Sequence, residues 1–176
     1  MKIITFQHKN ILNKINNNGV YLAKIDSFYR QCTPKCYDIV FNSIKTKDIG
    51  STQPIFGWYN VFSNENLTIN SETISRCLEM THLEEDDYLL FELNIDEDKV
   101  SLQDFYNFID ARCEEEGIDA CYESFEEFPV DRIFEIVNCE IQCTISSIRK
   151  EYIENIYSYK KVDNKYVITK INDLNN

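Results

Sequence analysis

The strictest pattern in the chain is a period of two between Cys139 and Ser147. Cys139, Ile141, Cys143 and Ile145 fall on one side, and Glu140, Gln142, Thr144 and Ser146 on the other. Only an extended strand sends alternate residues to opposite faces, so this segment demands a sheet with one apolar face and leaves its polar face for water. Such a strand needs partners, and the chain supplies them. Lys2–Gln7 reads as a short strand, Pro54–Phe62 as a β-rich run with Pro at its first residue, and Tyr88–Ile95 as the strongest strand, turned by Asp96-Glu97-Asp98. Asn155–Val162 and Lys165–Ile171 read as a hairpin joined at Asp163-Asn164.

Helical spacing fills the gaps between these strands. Ile11, Leu12 and Ile15 recur on one face, the Asn run at 16–18 ends that helix, and Gly19 supplies the left-handed residue. Val20–Ala23 is extended. Thr33 and Pro34 fit the N-cap and first position of a helix whose stripe is Tyr37, Val40, Phe41 and Ile44, with Gly50 closing it. Ser71 is placed to cap a helix bearing Ile74, Cys77 and Leu78. Ser101 with Asp104 reads as a capping box opening a helix through Phe105, Phe108 and Ile109, broken near Gly117. There are no repeats and no low-complexity linker in 176 residues. The pattern predicts one mixed α+β domain over 1–176, with its core in 2–160 and a C-terminal hairpin over 155–171.

Composition narrows the function classes. Hydrophobic residues at 43% and aromatics at 13% suffice for a core. The net charge of −12 is unevenly placed: +5 over residues 1–50, −19 over 51–148 and +2 over 149–176. Binding nucleic acid through a broad basic surface needs an excess of Lys and Arg, and this chain carries 18 against 30 Asp and Glu. A positive head and a strongly negative middle instead make a dipolar field able to steer a charged protein partner. Met1–Leu12 lacks an unbroken apolar stretch and no run approaches ~20 apolar residues, so neither a leader nor a membrane span is expected. The seven cysteines, an odd number, fit a reducing, cytoplasmic setting.

No P-loop, G-x-G-x-x-G, H-E-x-x-H or G-x-S-x-G occurs, and four glycines do not make a glycine-rich phosphate cradle. The acidic clusters Glu84–Asp87, Asp96–Asp98 and Glu114–Glu116 lack calcium-loop spacing and read as solvated faces, so no metal is expected. What remains is polar or aromatic residues on core-like strands. Thr5 and Gln7 share a face of the first strand, Trp58 and Tyr59 sit in the middle of 54–62, and Glu140 and Gln142 share the polar face of the late strand. Each has an ordinary explanation: an edge strand, a core aromatic, a wet face.

Their order along the chain resembles known families. Ile-Ile-Thr-Phe-Gln at 3–7, Pro-Ile-Phe-Gly-Trp-Tyr at 54–59, Val-Ser-Leu-Gln-Asp-Phe at 100–105 and Glu-Ile-Gln-Cys-Thr-Ile at 140–145 resemble a bacterial family of unknown function across roughly residues 2–160. More distantly, the layout is similar to the ADP-ribosyltransferase superfamily. There, a first strand ending in His or Arg leads into a helix ending Ile-x-x-x-Gly. Here Gln7-His8 is followed by Ile15-Asn16-Asn17-Asn18-Gly19.

That resemblance implies a split sheet with peripheral helices and NAD as a substrate. Thr5, Gln7, His8, Trp58 and Tyr59 would contact it, Tyr59 or Trp58 by stacking on nicotinamide, and Glu140 or Gln142 would hold the nicotinamide ribose. A carboxylate there would stabilise an oxocarbenium-like state, and Lys9 and Arg30 would meet the pyrophosphate. Gln7 stands where the family has His or Arg. The strand pattern leaves open whether Glu140 or Gln142 holds the family's Glu position, and a neutral amide stabilises a cation far less than a carboxylate does.

Three readings of different class follow. One is an ADP-ribosyltransferase-like domain that binds NAD and transfers ADP-ribose to a macromolecule, or hydrolyses NAD. It requires a cleft joining Gln7 or His8, Tyr59, and Glu140 or Gln142. The alternative is a non-enzymatic acidic interaction protein, such as a phage or mobile-element inhibitor that mimics nucleic acid before a basic partner. A small structural or regulatory domain is the third.

Overall fold

The computed structural model describes residues 1–23, 33–62, 67–81, 87–116 and 130–171. Nine strands are seen among them: β1 (Lys2–His8), β2 (Val20–Leu22), β3 (Ile55–Asn60), β4 (Tyr88–Asn94), β5 (Val100–Asp104), β6 (Ile141–Ile145), β7 (Ser147–Arg149), β8 (Ile153–Val162) and β9 (Lys165–Lys170). Four α-helices accompany them: α1 (Ile11–Asn18), α2 (Pro34–Ser43), α3 (Ser71–Thr81) and α4 (Phe105–Glu115). Seven strands form one sheet in the order β5-β6-β3-β1-β4-β8-β9, and β2 pairs with β7 apart from it. Every pairing is antiparallel. The chain is a single α+β domain, and no helix among the described residues is long and apolar enough to cross a membrane.

Local chemistry sets several boundaries where the sequence places them. Gly19 takes φ 72° at the end of α1 and donates its N–H to the Ile15 carbonyl, as a left-handed cap does. Asp163 and Asn164 both have positive φ, 48° and 61°, which is the geometry of the two-residue hairpin turn that joins β8 to β9.

Elsewhere tertiary contacts take over. Val100–Asp104 is a strand, so Ser101 opens no capping box; Asp104 alone caps α4, accepting from the N–H groups of Tyr106 and Asn107. Asn70, not Ser71, caps α3 by accepting from Thr73 N–H, while the Ser71 hydroxyl accepts from Tyr166 N–H on β9. Gly50 does not close α2, which ends at Ser43; it lies seven residues further on, with φ 88°. Thr33 makes no capping bond. Glu115, at the far end of α4, accepts instead from the N–H groups of Lys35 and Cys36, so the 114–116 cluster is not simply a solvated face.

Two faces follow from the ladders. Gln103, Gln142, Trp58, Ile4, Glu92 and Asn155 are successive partners across six strands, and so share one row and one face. On that face Phe6, Trp58, Leu90 and Tyr159 meet Ile74, Cys77 and Leu78 of α3, and Phe56 meets Tyr37, Val40 and Phe108 of α2 and α4. On the other face Ile3, Phe91, Leu93, Cys143, Ile145 and Ile156 close over Ile11 and Ile15 of α1. Helices cover both sides of β6. Its polar face is therefore dry, with Thr144 fully buried and Gln142 and Ser146 nearly so. β1 lies in the middle of the sheet, so Thr5 and Gln7 are not edge residues.

Candidate functional site

The expected site residues fall in three places. Thr5 and Gln7 alternate with Ile4 and face α1. The Thr5 hydroxyl donates to the Phe56 carbonyl at 2.6 Å and accepts from the Gln7 amide at 2.8 Å, so the pair is engaged in joining strands. The same face holds Gly57, where a Cβ would stand 2.6 Å from the Ile4 carbonyl oxygen; only glycine lets β1 and β3 approach this closely.

His8 ends β1 on the face of Ile4. It stacks edge-on against Tyr88 with ring centroids 5.6 Å apart, and its Nδ1 accepts from Asn10 N–H. Beside it Lys9 pairs with Asp87 at 2.7 Å. Arg30 lies outside the described residues.

Trp58, Glu140 and Gln142 form the third group, on the face covered by α3 and α4. Trp58 and Gln142 are direct cross-strand partners, and Glu140 precedes Gln142 by two residues on the same face. Tyr59 stands in the bulge between Trp58 and Asn60, opposite no residue of β6, and is 38% exposed.

These positions do not converge. Thr5 and Gln7 are separated from Glu140 and Gln142 by the sheet itself. His8 shares their face but lies four residues along β1 from Ile4, while Glu140 lies two residues the other way along β6. At ~3.3 Å per residue that is about 20 Å along the strands. One nicotinamide riboside touching His8, Gln7 and Glu140 together does not fit this arrangement. Trp58, Glu140 and Gln142 alone remain neighbours.

The group around Glu140 includes two residues that the sequence reading missed. Arg76 of α3 donates to Glu140 Oε1 at 3.0 Å and to the Tyr106 hydroxyl at 2.7 Å, tying α3 to α4 across the strand. The Cys139 thiol donates to Glu140 Oε2 at 3.2 Å, and that bond, with burial, pushes its pKa up. Both carboxylate oxygens are thus held by internal donors. Deeper in, the Gln103 amide donates to Gln142 Oε1 at 3.4 Å, and Trp58 lies against Phe105 with centroids 5.0 Å apart. Arg76 left a signal in the sequence, being the only cation between residues 51 and 98.

Two other buried carboxylates lie toward this end of the sheet. Asp104 is fully buried and accepts from the N–H groups of Tyr106, Asn107, Val137 and Asn138 and from the Asn138 amide. Burial pushes its carboxyl up, but those bonds outweigh it and hold the pKa below the usual range. Glu92 accepts from Lys2 at 2.8 Å, from Tyr157 at 3.0 Å and from the Asn155 amide; burial again raises its pKa and these donors pull it below the ordinary value. Its signal was a lone carboxylate inside the apolar run 88–95.

Cys36, Cys77 and Cys143 are poor nucleophiles. Burial, then the Glu115 carboxylate, pushes Cys36 up to about 12, and burial raises Cys77 and Cys143 strongly. Comparison of the chain with protein-family models, with curated proteins and with solved structures gives no match.

Proposed function

We propose that this chain works by binding a protein partner with a basic surface, not by catalysis. The observation that carries the reading is the stretch from Asp110 to Glu127, with eight acidic side chains against Arg112 alone. Of these, Glu115 is engaged on the start of α2 and Glu116 lies 3.4 Å from Arg112. Such an excess of one sign attracts a basic partner at long range and repels nucleic acid and anionic membranes. The buried carboxylates Asp104, Glu92 and Glu140 support the same reading, because each is engaged by internal donors.

The test is pull-down with the immobilised chain at ~0.05 M and ~0.5 M salt, since surface charges are screened beyond a few ångström at high salt. Basic proteins that bind at the lower concentration and elute at the higher support the reading. Binding that survives ~0.5 M salt unchanged overturns it.

A second reading, NAD binding with ADP-ribose transfer or NAD hydrolysis, draws on the adjacency of Trp58, Gln142 and Glu140. It requires Arg76 and Cys139 to release the Glu140 carboxylate. Thermal shift with NAD, run beside an assay for released nicotinamide, separates the two. Saturation at one hundred times the dissociation constant adds ~2.7 kcal/mol, or roughly 5–10 °C for a domain of this size. That shift with nicotinamide release, lost in Glu140→Ala or Gln142→Ala, favours the enzyme; no shift at millimolar NAD leaves the interaction reading.

A further inference from the structure

Resting on the interaction reading, we propose that the partner docks on the end of the sheet where β3 and β5 finish and β6 begins. The occupant is a protein segment that presents a large apolar side chain flanked by Lys or Arg. Among the described residues eight large hydrophobic side chains are exposed, and five of them crowd this one end: Tyr59, Phe62, Tyr106, Ile136 and Val137. The ladders bring them there. Asn60 and Asp104 both face Ile141, so segments 59–62, 104–106 and 136–140 leave the sheet side by side.

The surface is tied by hydrogen bonds and backed by aromatic rings. Asp104 fixes Tyr106 and Val137 through their N–H groups, each at 3.0 Å. Trp58, Phe105 and Tyr106 follow one another with centroids 5.0 and 5.4 Å apart. A preorganised aromatic and aliphatic patch of this kind is where binding energy concentrates.

Charge selects the occupant. Arg76 and the exposed Arg132 are the cations near this end, and Arg76 already faces Glu140 at 3.0 Å and Glu79 at 3.8 Å. Glu79 and Glu135 are exposed at the margin, and Asp110 follows Tyr106 by one helical turn. An apolar patch with an acidic margin fits a basic segment carrying an apolar anchor.

The probe is the labelled peptide Lys-Lys-Leu-Trp-Lys-Lys, followed by fluorescence anisotropy at ~0.1 M salt, with an analogue carrying Ser-Ser in place of Leu-Trp. The Leu-Trp peptide is expected to bind at least ~10-fold more tightly than the analogue. The double variant Ile136→Ser/Val137→Ser should reduce it to the analogue's affinity, and Val167→Ser on β9 should change nothing. All three positions are exposed, so superimposable thermal melts will show that the variants are folded. Unchanged binding of the Leu-Trp peptide to the double variant overturns the docking surface while the interaction reading stands. Failure of both peptides to bind the native chain, even at ~0.05 M salt, overturns both.

Discussion

Phe91 and Glu92 are chain neighbours on β4, yet they belong to different kinds of interior. Phe91 points to the face closed by α1, among Ile3, Leu93, Ile145 and Ile156, where hydrocarbon meets hydrocarbon. Glu92 points to the face of α2, α3 and α4, in a row with Ile4, Trp58, Gln142 and Gln103. The first face is held by burial, which is non-directional and tolerant of detail. The second depends on donors meeting acceptors, and that fixes which loop sits where. The exposed patch and the Arg76–Glu140 pair lie at the end of the second face, because its hydrogen bonds position the segments that leave the sheet.

Substitutions can break this contrast. The largest effect is expected from Phe91→Asp, which places an unpaired charge in the dry interior. Its cost exceeds the 5–15 kcal/mol by which domains are typically stable, or nearly so, and circular dichroism should show no cooperative melt. A soluble, cooperatively melting variant would refute the assignment of Phe91 to the core. Asp104→Ala comes next, leaving several buried N–H groups without their acceptor, at about 3 kcal/mol. For a chain of this size that is a fall in Tm of roughly 6–12 °C; a fall under ~2 °C would mean that Asp104 does not organise this end. On the face closed by α1, Gly57→Ala is expected to cost about 1–3 kcal/mol in urea denaturation, because the added methyl meets the Ile4 carbonyl of a central strand and not a movable side chain.

Acid sharpens the comparison further. Asp104 and Glu92 titrate below their unfolded values near ~4, so the folded state binds fewer protons than the unfolded one around that pH. Their stabilisation is complete above the unfolded pKa and is lost as pH falls through the lower, folded values. Urea midpoints should decline below about pH 4, and Glu92→Gln should flatten that decline. An identical pH profile for Glu92→Gln would show that Glu92 does not contribute to it. The smallest effect is expected at the patch: Val137→Ser should change stability by less than ~0.5 kcal/mol, since an exposed side chain away from caps and core has little to lose.

Much of the chain is legible without the fold. The apolar run at 88–95, the period-two run at 139–147, the helical stripes at 11–15 and 37–44, Gly19 at a helix end and Asp163-Asn164 at a hairpin are local signals, because they come from how one residue's backbone and neighbours behave. The sequence likewise determined the sign and placement of charge. What only tertiary structure decided is where separate strands meet and which side of each is covered. The order of motifs along the chain, through a family resemblance, put Thr5 and Gln7 in the same expected site as Glu140, yet strand order and alternation put the sheet between them. The polar side of 139–147 reads as wet until α2, α3 and α4 close over it. Asp104, Glu115 and Arg76 find their partners 30 to 80 residues away, at distances in sequence that no local period encodes.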